Sequence, residues 1–101
     1  MKIENTYHSR IATTDIALEN NFLIEVCTMK RYGGDTTTSF TVYKQVKEGV
    51  RQTSLYFKSV SINHGKQTRL TEKRLAELHN EALARKDEFQ NHSQEQLKNF
   101  N

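Results

Sequence analysis

From Phe22 to Ile62 apolar residues mostly alternate with polar ones. A period of two belongs to strands that bury one face. The pattern predicts three strands, over residues 22–32, 35–46 and 50–62. Gly33-Gly34 separates the first pair and Glu48-Gly49 the second. Both are hairpin signals, because glycine reaches the positive φ of tight turns.

Loop length can be tested against the pleat. A two-residue Gly33-Gly34 loop would set Val26 against Thr41. A three-residue loop pairs Tyr32 with Thr36, and then Val26 faces Val42, Phe22 faces Val46 and Thr28 faces Phe40. A one-residue slip turns every side chain over, so the apolar pattern selects the three-residue loop. A two-residue Glu48-Gly49 turn sets Phe40 against Phe57 and Val42 against Leu55. One apolar face results: Phe22, Ile24, Val26, Phe40, Val42, Val46, Leu55 and Phe57. Lys44 interrupts it, near an edge where its amine reaches water. The other face is mixed, with Leu23, Glu25, Cys27, Met29, Arg31, Thr41, Tyr43, Tyr56 and Lys58. Val60 and Ile62 fall out of phase, and a bulge near Lys58 or Ser59 would return them to the core.

After residue 70 the period changes. Leu75, Leu78, Ala82, Leu83 and Phe89 recur at helical spacing, which predicts a helix over residues 72–89. Thr71 is its N-cap, with Leu70 and Leu75 at the positions of a hydrophobic staple. Residues 90–101 are polar apart from Leu97 and Phe100, and extend the helix or fray. Residues 1–20 fit two readings: a strand over residues 7–13, or a short helical turn capped by Thr14 or Asp15. The predicted fold is α+β: a three-stranded antiparallel meander, one long C-terminal helix on one face, and an N-terminal segment covering an edge or part of the other face.

Composition narrows this picture only a little. With 101 residues the chain has room for one domain. Leu, Ile, Val and Phe number 23, enough for a thin core. Thr is abundant, with 11 residues, which suits strands. The lone Cys27 rules out an intrachain disulfide and a cysteine-based zinc cage. With no apolar leader and no apolar run of roughly 18–20 residues, the expected compartment is the cytoplasm and no membrane is expected as a partner.

No catalytic arrangement is evident, and a non-enzyme without cofactor or metal is expected. His8, His64, His79 and His92 follow no metal-ligand spacing. His79 stands on the apolar side of the helix, where a half-buried histidine hydrogen-bonded to the sheet or to solvent explains it better than a general base or a metal ligand. Cys27 has no local base to make thiolate and reads as a small hydrophobe.

The functional lead is charge. The net charge is +3. Lys66, Arg69, Lys73 and Arg74, less Glu72, carry that whole excess within nine residues at the helix start. A helix N-terminus already favours anions, so Lys73 and Arg74 cost a few tenths of a kcal/mol there unless something negative docks. These four are the candidate contacts to nucleic acid, polyphosphate or an acidic protein. Arg31, Lys58, Tyr43 and Tyr56 form a second candidate surface on the mixed face, where aromatics can stack on bases between cations. That face could instead pack on residues 1–20 or make a homodimer. A protein-binding module or inhibitor, of the size common among phage and plasmid accessory proteins, is the alternative function.

A short helix, three antiparallel strands and a helix with the basic start Lys73-Arg74 is similar in order to the double-stranded RNA-binding domain. The order βββα also resembles sheet-reading DNA-binding domains. Both resemblances lie at the level of architecture, and a fold does not by itself imply a function.

Overall fold

A computed structural model of the chain describes residues 1–5, 10–18, 21–30, 34–53, 60–67 and 70–88. It holds six strands and one helix: β1 (Lys2–Asn5), β2 (Arg10–Ala17), β3 (Phe22–Lys30), β4 (Asp35–Lys47), β5 (Val50–Thr53), β6 (Val60–Lys66) and α1 (Glu72–Leu83). The strands form one antiparallel sheet in the order β1-β2-β3-β4-β5, with β6 also on β4. The sheet curls into a half-barrel. The three-stranded meander with a long helix is therefore corrected, and with it the resemblance to a domain with an N-terminal helix.

The extra strands come from the N-terminal segment. Ile11, Thr13, Thr14 and Ile16 are β-branched, which suits a pleated strand. β2 pairs with β3 along its length, from Ile11↔Met29 to Ala17↔Leu23, and β1 adds on outside it. These residues extend the edge of the sheet and form no second layer.

The register of β3 and β4 differs from the expected one by two residues. Val26 faces Phe40, Thr28 faces Thr38 and Phe22 faces Lys44. Because the slip is even, every side chain keeps its face. Phe40 packs on Val26, and Thr28 and Thr38 meet hydroxyl to hydroxyl, at 2.6 Å. The Glu48-Gly49 turn forms as expected, with Lys47 opposite Val50 and Gly49 at φ 74°. An irregularity between Gln45 and Lys47 then shifts the pairing to Gln45↔Arg51 and Tyr43↔Thr53. Val60 and Ile62 stand in phase with the core, opposite Phe40 and Thr38, and the bulge expected near Lys58 or Ser59 lies outside the described residues. Val46 is half exposed beyond the core. Leu55 and Phe57 lie outside the described residues.

β4 is 13 residues long and serves two partners along one edge: β5 at Tyr43–Lys47 and β6 at Asp35–Phe40. A bulge in β6 leaves one extra residue between Asn63 and Lys66. Gly65, at φ 83°, takes the left-handed conformation there.

Helix α1 lies across β2, β3 and β4. Thr71 caps it, its Oγ1 accepting from the Arg74 amide at 3.1 Å. Leu75, Leu78 and Ala82 are buried together with Ala12, Ile24, Val26, Phe40 and Val42. The helix stops at Leu83, short of the predicted end. Residues 84–88 offer nothing large and apolar to the sheet, and a short helix lives by its packed face. Phe89 and residues 90–101 lie outside the described residues.

On the other face Leu23 is buried. The Arg51 guanidinium, from β5, bonds Glu25 on β3 at 2.8 Å and Asp15 on β2. In a flat sheet β5 and β2 would stand about 14 Å apart, more than the two side chains reach. The β4–β5 ribbon therefore bends over this face.

Candidate functional site

The sheet gathers cations from distant parts of the chain at the end where α1 begins. Lys66 closes β6, exposed and opposite Asp35. Lys73 is exposed in the first turn of α1. Arg74 is half-buried: its Nη1 donates to Glu77 at 3.1 Å and its Nε to Gln67 at 3.3 Å. Two further cations join them. Arg10 opens β2 and donates through Nη1 to the Leu70 carbonyl at 3.3 Å, just before the helix. Lys30 closes β3, exposed. Because Ile11 pairs with Met29, Arg10 and Lys30 stand at the same end of neighbouring strands. Asp35, Glu72 and Glu77 offset part of this charge. Glu72 is held by Asn5 of β1 at 3.2 Å.

Arg10 and Lys30 were not legible as part of the cluster. Sequence spacing cannot show that β2 runs beside β3 so that its first residue ends under residue 70. Arg69 lies outside the described residues, as do Arg31, Lys58 and Tyr56 of the second candidate surface. Tyr43 is described, and it stands away from the basic end. It is half-buried on the opposite face, opposite Leu23. Burial, and then the nearby Glu25 carboxylate, push its phenol up from the ordinary value. The structure does not bring Tyr43 together with Lys66, Lys73 or Arg74.

Beneath α1 runs a second polar constellation. Thr14 Oγ1 lies 2.8 Å from His79 Nε2, and Thr28 Oγ1 lies 2.7 Å from His79 Nδ1. Thr28 bonds Thr38, and Thr38 Oγ1 lies 2.8 Å from His64 Nε2. His79, Thr28 and Thr38 are fully buried. The expected half-buried histidine, bonded to the sheet or to solvent, is corrected: the ring is fully buried, with a hydroxyl of the sheet on each nitrogen. Burial, and then the chain's α-amino group, lower the pKa of His79 to about 4. Burial also lowers that of His64, with Arg74 adding to the effect and Glu81 opposing it. Thr36 Oγ1, on the same face, is buried without a hydrogen-bond partner.

Cys27 is half-buried on the opposite face, between Thr13 and Ser39. Among the described residues no group of His, Cys, Asp and Glu could hold a metal ion, and no helix is long and apolar enough to cross a membrane. Comparison with protein families, curated proteins and solved structures finds no match to this chain.

Proposed function

We propose that this chain is a non-catalytic module that binds nucleic acid or another polyphosphate through the basic end of the sheet. The observation that carries this reading is that Arg10 from β2, Lys30 from β3 and Lys66 from β6 stand at one end of the sheet, where Arg10 bonds the Leu70 carbonyl just ahead of α1 and its Lys73. Three strands and a helix supply the cations, so their spacing is held by the backbone. Such an array suits a row of phosphates better than a single ion. The free amides of the first helical turn add to the attraction. Arg10 and Arg74 are partly engaged by protein groups, which leaves the exposed Lys30, Lys66 and Lys73 as the main contacts.

Fluorescence anisotropy with labelled duplex and single-stranded oligonucleotides tests this. Affinity should fall steeply between about 50 and 200 mM salt, because each neutralised phosphate releases counterions. Lys66→Glu with Lys73→Glu should weaken binding at least tenfold while the circular dichroism spectrum is retained. Unchanged affinity in a folded double variant, or binding indifferent to salt, would overturn the proposal. Capture of an acidic protein, with no shift of any oligonucleotide, would favour the alternative of a protein-docking module.

A further inference from the structure

The hydrogen-bonded chain under α1 is larger than packing requires. It crosses four strands and has a titratable ring at each side, His79 buried and His64 partly open to water. We propose that Thr14, His79, Thr28, Thr38 and His64 form a pH-operated latch, which holds α1 on the sheet while His79 is neutral and releases it when that ring takes a proton.

The proton count supports this. With both rings neutral, four hydrogen bonds link the five groups, and they can run in either of two directions. In one, Thr14 donates to His79 Nε2, Nδ1 donates to Thr28, Thr28 to Thr38, and Thr38 to His64 Nε2. In the other every donor is reversed. Each direction satisfies all four links, with a different tautomer of His79 in each. Protonating His79 makes both its nitrogens donors, so only the order that ends on His64 Nε2 as acceptor survives. Protonating His64 as well strands the Thr38 hydroxyl proton. The two rings therefore compete, and the cation on His79 gains no new partner.

Nothing nearby repays that buried charge. Among the described residues no carboxylate bonds either ring. Just ahead of β1, the α-amino group of Met1 acts on His79 against its protonation. On the helix face, β2 offers Arg10, β3 offers Lys30 and β4 offers Lys44, all cations. From β6 comes His64, while Lys66, paired with Asp35, lies on the opposite face. On α1, Glu72 is bonded to Asn5, Glu77 to Arg74, and Glu81 acts on His64. Asp15 and Glu25 lie on the opposite face, tied to Arg51. A buried unpaired charge drives either deprotonation or exposure. Exposure here means lifting a helix of 12 residues held by Leu75, Leu78 and Ala82.

Amide hydrogen exchange on the whole chain, at several pH values from 7 to 4, tests the latch, with protection corrected for intrinsic exchange. Protection across Leu75–Ala82 should fall by up to about tenfold per pH unit below 6.5, and at each pH it should stay below that of the paired amides of β3 and β4. The fall should track the ring titration of His79, followed by NMR in the unaltered protein. In His79→Gln, α1 protection should no longer depend on pH. Protection of α1 equal to that of β3 and β4 at every pH would overturn the latch, since helix and sheet then open only by unfolding of the whole chain. So would titration of the His79 ring with no change in α1, or a pH dependence that survives in His79→Gln.

Discussion

Thr28 Oγ1 stands 2.7 Å from Nδ1 of His79, and this contact ties the middle of the sheet to the middle of its helix. The same hydroxyl touches Thr38. Thr28→Val keeps the shape of the side chain and deletes both bonds. It leaves a buried ring nitrogen without a partner, which costs about 1–3 kcal/mol. Urea unfolding at pH 7 should show that loss, and a change under about 0.5 kcal/mol would mean the contact contributes nothing.

Whole-chain stability should fall on acidification. In the folded state His79 titrates at about 4, whereas in the unfolded chain it titrates near 6.5. The unfolded state therefore binds the extra proton between those values. The contribution of the neutral ring is complete above pH 6.5 and is lost as pH falls towards 4, up to about 3 kcal/mol. The urea midpoint at pH 5 should lie below that at pH 7, and the gap should narrow in His79→Gln.

Leu75 and Val46 make a matched pair of tests. Leu75 is fully buried in α1, and Val46 is half exposed on the β4–β5 ribbon. Leu75→Ala should cost about 2–5 kcal/mol through lost contacts and the cavity left behind. Val46→Ser should fall within about 0.5 kcal/mol of the parent. Thermal unfolding of both variants reads the contrast, and a large loss from Val46→Ser would show that the ribbon tip is buried.

Arg51 joins three strands but sits partly in water. Arg51→Gln should cost no more than about 1 kcal/mol, and the difference from the parent should shrink as salt is raised. Denaturation at low and high ionic strength separates the two. A loss indifferent to salt would point to lost packing of the arginine stem and not to lost charge.

The strands from Phe22 to Lys47, the Glu48-Gly49 turn and the Thr71 cap were legible because each rests on local pattern. Face assignment survived a register error because the slip was even: Val26 and Phe40 stay on the helix face in either register. Residues 10–17 were harder to read. Thr14 and Asp15 are good caps as well as acceptable strand residues, and only pairing with β3 decides between them. Losing that strand hid Arg10 from the basic cluster and Thr14 from His79. The helix end was misplaced because Phe89 fits the spacing, yet five residues with no large apolar side chain precede it. His79 was noticed, but its hydroxyl partners come from two strands, β2 and β3, and no spacing rule reaches them.

The long β4 works as a splint, with β5 and β6 laid end to end along one side of it. Each half-strand takes its alignment from β4 and owes nothing to the other. Lengthening the connection between Thr53 and Val60 should therefore leave both alignments intact. Cutting it should give two fragments, 1–53 and 60–101, that reassemble when mixed, and a fluorescent reporter split across that point would measure the reassembly.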